Sequence, residues 1–242
     1  MSAPSTTKPV AMTPIAYALA HETPDFTGVE FTSLNDMRIA LRYSTNELEH
    51  QHKKVLGITD VSYLRRFSVK GPNAAAWLQQ HGIAIPPVSN SWLAFGVDQA
   101  SATPSTHASL VLRLGNSEFL IEDQFNGQAC PALQQAAIAQ PVAAGVYKVV
   151  RHDAAFILSG TKVLNLLSEL CLLDLRDKAL PADTLLMTQV AGISATLIRQ
   201  KIDGDEVYRI WCDGTYGAYM WETLTQIATE LGGGAVGLAQ YL

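Results

Sequence analysis

A strand that stops at a glycine and turns straight into a helix occurs three times in this chain. Residues 66–80, RFSVKGPNAAAWLQQ, break at Gly71-Pro72, and residues 155–169, AFILSGTKVLNLLSE, repeat the grammar with the break at Gly160. A looser copy, YRIWCDGTYGAYMWETL at 208–224, breaks at Gly214. Pro72 suits a first helical turn, where its missing N–H is not needed, and Ala74, Trp77 and Leu78 give that helix a buried stripe. Self-similarity of this kind dictates a fold assembled from repeated strand-to-helix joins.

The intervening segments fix the order of elements. SLVLRLGNSEFLIED (109–123) alternates on both sides of Gly115-Asn116 and reads as a hairpin, followed by a helix over 127–139 and a strand over 145–150. The second half offers a strand at 155–158, a helix at 162–171, a hairpin at 194–211 turning at Asp203-Gly204, and a last helix at 216–231. Each half therefore reads as strand, helix, strand, strand, helix, strand. The expected fold class is α+β, with duplicated ferredoxin-like (βαββαβ) units whose antiparallel sheets carry helices on one face. The expected division is an N-terminal arm with short strands over 1–50 and a main body over 51–242, its two repeats covering about 58–150 and 151–242. Residues 46–58 read as a solvated linker, and two long connections, 83–107 and 172–192, join helix to hairpin. The tail AVGLAQYL reads either as a final strand or as a partner-docking segment.

Composition narrows the function classes. The 242 residues carry 17 Lys and Arg against 22 Asp and Glu, with no basic stripe, so nucleic acid is not an expected partner. No run approaches the ~20 apolar residues of a membrane span, and the apolar stretch at 9–20 is interrupted by proline and led by a single lysine, unlike a signal peptide. Cys130, Cys171 and Cys212 are far apart and lie in apolar surroundings, which fits small buried side chains in a reducing cytoplasm.

The chain holds no sequence signature of a catalytic site. Its glycines do not form a phosphate-binding loop, and no zinc-protease or nucleophile-elbow motif occurs. His50 and His52 have no evident third ligand, and His152-Asp153 reads as a tight turn. Tyr216, Tyr219 and Trp221 have the spacing of helix packing.

Three stretches carry a resemblance to a known family. ITDVSYLRRFSVKGPNAAAWLQQHGI, LVLRLGNSEFLIED and YRIWCDGTYGAYMWETL resemble segments of the glycine-cleavage aminomethyltransferase (folate-binding) superfamily. The likeness spans about 58–231. Within that superfamily the opening TPIAYALAHE, the stretch MTQVAGISATLIRQ (187–200) and the overall length resemble the gamma subunits of heterotetrameric sarcosine oxidases. The resemblance implies a catalytically silent structural subunit that binds no cofactor itself, beside larger flavin-containing oxidase subunits that hold flavin and tetrahydrofolate.

The departures agree with silence. Folate-dependent members carry a Tyr-Thr-Gly-Glu turn, whose matching positions are Ile202, Asp203, Gly204 and Asp205; their Gly-Gly and paired aspartates should fall in FGVDQA at 95–100. Asp98 and Asp205 stand as remnants of a folate site, and they keep open the alternative of a folate-binding or aminomethyltransferase-like protein of one-carbon metabolism. A free-standing binding module is a third class, with no pocket located for it. Trp92 and Phe95, in the first long connection, are the expected partner surface.

Overall fold

Two largely antiparallel sheets pack face to face in this computed structural model, with helices on their outer sides. The structure describes residues 11–22, 28–96, 108–139, 144–175 and 180–242. The chain opens with β1 (Ala11–Met12), α1 (Ala16–Glu22) and the pair β2 (Glu30–Leu34) and β3 (Met37–Arg42), turned at Asn35 and Asp36, both at positive φ. These strands form a small separate sheet in the order β1-β3-β2.

Residues expected as a linker form α2 (Asn46–Leu56). Thr45 caps it by accepting from the Leu48 N–H, Glu47 and Glu49 stand in its first turn, and Lys53 and Lys54 in its last. That charge order complements the helix dipole. β4 (Gly57–Asp60) follows directly, with every residue buried.

The first long run is β5 (Arg66–Lys70), α3 (Ala74–Gln80), β6 (Ser91–Phe95), β7 (Ser109–Arg113), β8 (Glu118–Glu122), α4 (Ala129–Ala139) and β9 (Tyr147–Val149). The second is β10 (Asp153–Ser159), α5 (Val163–Leu170), β11 (Leu185–Val190), β12 (Ile193–Ile202), β13 (Asp205–Asp213), α6 (Gly217–Glu230) and β14 (Gly234–Ala235). Their sheets have the orders β6-β7-β8-β5-β9 and β11-β12-β13-β10-β4-β14. Through four positions the two orders correspond.

The fifth position does not. In the second sheet it is filled by β4, which precedes the whole first run and pairs antiparallel to β10, while β14 adds in parallel on the outside of β4. A boundary at residue 58 therefore cuts through a strand of the second sheet. Both long connections also contain a strand, β6 and β11, each antiparallel to the hairpin strand that follows it.

Alternation along the strands sorts the core into layers. On β10, Ala154, Phe156 and Leu158 face α5 and α6, whereas Ala155 and Ile157 face the other sheet. On β8, Phe119 and Ile121 face α3 and α4, and Leu120 faces inward. Strands apolar on both faces are the mark of sheets covered on both sides.

The repeated glycine joins have a common geometry. Gly71 and Gly160 have φ of 126° and 102°, and a Cβ at either would meet backbone, Gly145 O at 2.2 Å and Val55 C at 2.6 Å. The tail takes the first of its two expected forms. Gly234–Ala235 pairs with β4, and Val236, Leu238 and Tyr241 are buried in the layer between the sheets rather than offered to a partner.

Candidate functional site

The most unusual chemistry lies between the two sheets. β5 and β8 pair in a register that sets Arg66 directly opposite Glu122, on the face turned toward the second sheet. Across the gap, Arg209 and Trp211 of β13 share a face two residues apart. Glu122 Oε2 accepts from Arg66 Nε and from Trp211 Nε1, both at 2.6 Å. Glu122 Oε1 is 2.5 Å from Arg209 Nη2, an ion pair off the hydrogen-bond axis. All three charged side chains are buried.

Burial alone would raise the Glu122 pKa, but the Arg209 and Arg66 charges and the Trp211 hydrogen bond outweigh it and hold the carboxyl below its ordinary value. Arg66 also donates to the carbonyls of Val61 and Ser62 through its other nitrogens. A carboxylate kept ionised by two guanidiniums and sealed from water is a counter-ion that joins the sheets. Beside it, Asp60 accepts from the Ser62 N–H at 2.9 Å and from the Ser62 and Thr13 hydroxyls, and burial pushes its pKa up. Thr13 thus ties the N-terminal segment to β4.

Asp205 lies elsewhere, where β13 leaves a tight turn formed by Asp203 and Gly204, at φ of 53° and 88°. It is exposed and lines a surface groove of about 530 Å³ with Lys53, Lys54, Thr161, Glu206 and Tyr208. Ile202, expected from the resemblance to match the folate turn's tyrosine, is buried in the layer between the sheets. Burial lowers the Lys53 pKa, and the Asp203 and Asp205 carboxylates oppose that shift. Asp98, the other residue expected as a folate remnant, lies outside the described residues.

Trp92 and Phe95 occupy a strand rather than a loop. β6 adds to the first sheet through β7, and Ser91 also bridges to Thr184 of the second run. Trp92 is half-buried against the layer between the sheets and Phe95 against the α3–α4 core. Aromatic residues on a short edge strand cover core in this way.

The remaining candidates resolve into structure. His50 and His52 stand on α2, and among the described residues no group of three or more His, Cys, Asp and Glu could hold a metal ion. All three cysteines are free and buried, and the Cys212 thiol is pushed up to about 12, chiefly by burial. Trp221 is buried and stacks on Tyr43 at 5.4 Å, while Tyr216 and Tyr219 are half-exposed. Asp153 begins β10 and pairs with Arg151 at 3.0 Å. No helix among the described residues is long and apolar enough to cross a membrane.

Sequence reasoning missed the Glu122 cluster. Its signal was present: Glu122 continues the parity of Leu120, and Arg209 that of Val207 and Trp211, in strands apolar on both faces.

The comparisons with known proteins follow the whole chain. It is 25% identical over 230 residues to an aminomethyltransferase of Saccharopolyspora erythraea, covering 90% of this chain and 60% of that protein. The glycine cleavage system aminomethyltransferase T of Bartonella henselae superposes with a TM-score of 0.69 at 19% identity, covering 96% of this chain and 61% of that one. This chain thus spans about 60% of the length of both aminomethyltransferases. A chain of the heterotetrameric sarcosine oxidase of Corynebacterium sp. U-96, solved with pyrrole 2-carboxylate, superposes with a TM-score of 0.59 at 18% identity, covering 93% of this chain and 97% of that one. The family model for the GCVT N-terminal domain matches residues 20–241, and the chain belongs to that aminomethyltransferase family.

Proposed function

We propose that this chain is a non-catalytic, gamma-type subunit of a heterotetrameric, flavin-dependent complex that oxidatively demethylates sarcosine or a related N-methyl amino acid. In this reading flavin and tetrahydrofolate are bound by larger partner subunits in the cytoplasm. The observation that carries it is the match to a chain of a heterotetrameric sarcosine oxidase over 97% of that chain's length. The interior supports it. The layer between the sheets is filled by Tyr63, Trp211, Leu238 and Tyr241, all buried, and its charges are spent on one another. The residues matching the family's folate turn put Ile202 into core and Asp205 at the surface.

The alternative, a folate-binding or aminomethyltransferase-like protein, draws on one observation: Asp205 lines a groove with two lysines. Calorimetric titration of the isolated chain with a reduced folate separates the two. The subunit reading expects no saturable micromolar binding and no oxidation of a methylated amine by this chain alone. Saturable binding that is lost on Asp205→Ala would establish the alternative.

A further inference from the structure

The groove that contains Asp205 has opposite charges on its two walls. It lies at the end of β10, where the strand stops at Gly160 and turns into α5, and Gly160, Thr161 and Leu164 form its middle. β10 runs between β13 and β4 in its sheet, and its last residue, Ser159, pairs with Val207 on one side and Gly57 on the other. Asp205 and Glu206, which immediately precede Val207, therefore flank the groove from the β13 side. Lys53 and Lys54, in the last turn of α2 and just before β4, flank it from the other.

Two of these four charges are already engaged. Lys53 Nζ donates to the Gln240 carbonyl at 2.9 Å and stands over the Tyr241 ring at 4.1 Å, and Glu206 pairs with Arg199 at 3.6 Å. Lys54 and Asp205 are not: both are exposed, they share the groove, and among the described residues neither side chain makes a hydrogen bond or an ion pair. α5 adds to the positive wall, since its first turn holds neither a side-chain cap nor an acidic residue. Two lysines against two carboxylates leave the groove without net charge, which favours neither a polyanion nor a metal ion. Separated charges of both signs fit a ligand that is itself dipolar. Val163, Leu164 and Tyr208 line the groove between them, and its volume of about 530 Å³ falls in the ordinary range of small-molecule sites, about 300–1,000 Å³.

We propose that this groove binds a small zwitterion of the α-amino-acid class, with its carboxylate on Lys54 and the start of α5, its ammonium on Asp205, and an apolar side chain along Leu164. The site goes beyond the subunit reading and does not rest on it, because it is built wholly from this chain's own α2, β10–α5 join and β13.

The test is an amide-resolved NMR titration of the full chain with L-valine as the probe. Isovalerate, which lacks the ammonium, and isobutylamine, which lacks the carboxylate, are its isosteric controls. L-Valine should shift the Thr161, Leu164, Asp205 and Glu206 amides saturably at millimolar concentration, and each control should need about tenfold more, since it forfeits one charge-assisted contact. Lys54→Ala and Asp205→Asn should each weaken valine binding about tenfold. Both positions are exposed, and the spectrum itself reports whether each variant is folded. Shifts that never saturate, an equal response to valine and to either control, or undiminished binding by either variant would overturn the proposal. So would saturable binding of a reduced folate at these amides with no response to valine, which would give the groove to the folate alternative instead.

Discussion

Glu122→Gln should destabilise the folded chain by about 3–5 kcal/mol, measured by urea unfolding at pH 7 with tryptophan fluorescence as the probe. Two guanidiniums would remain between the sheets without their counter-charge, and Trp211 would lose its ionised acceptor. Against a typical total of about 5–15 kcal/mol, such a loss can leave much of the protein unfolded. Replacing the cluster as a whole, with Arg66→Met, Glu122→Leu and Arg209→Met together, should recover most of the deficit, because no buried charge is then left unpaired.

The same carboxylate gives acid stability a definite sign. Its folded pKa is depressed, so its contribution is fully present above the ordinary value of 4.5 and is lost as pH falls through the folded value. The gap between wild type and Glu122→Gln should therefore be widest near neutrality and close in strong acid. A gap that stays constant with pH would show that the effect is packing rather than charge.

The second large effect lies at the glycine joins. Gly71→Ala and Gly160→Ala each place a Cβ at strongly positive φ, which by itself costs about 1–3 kcal/mol. Each Cβ also meets backbone that cannot swing aside, from Gly145 in the first case and from Lys54 and Val55 in the second. Gly192→Ala, also at positive φ but with nothing near its Cβ, supplies the comparison. It should show the conformational cost alone, and similar losses at all three sites would remove the close approach from the explanation.

These joins were readable in the sequence because a strand-to-helix turn is local. The 115–116 and 203–204 hairpins and the ends of α6 were readable for the same reason, within a few residues. What escaped were arrangements made at long range. β4 pairs with β10 almost a hundred residues away, and no local pattern says which sheet a short apolar strand joins. α2 was hidden by its charges, since NELEHQHKK has the composition of a linker; its helix is held by a cap, a dipole-matched charge order and contacts to the tail. The partners of Glu122 lie 56 and 87 residues away, and IED at a hairpin end reads as a solvated terminus until a second sheet covers it. Of the residues expected as folate remnants, Asp205 could be placed from its turn, but its groove is built with α2 and the β10–α5 join, which the sequence does not bring near it.

Affinity purification of the tagged chain from its native host, at native expression level, tests the subunit role most directly. The subunit account predicts larger chains in stoichiometric amount, the yellow colour of a bound flavin, and oxidation of a methylated amine that the tagged chain alone does not perform. Recovery of a lone, colourless, monodisperse chain would contradict it.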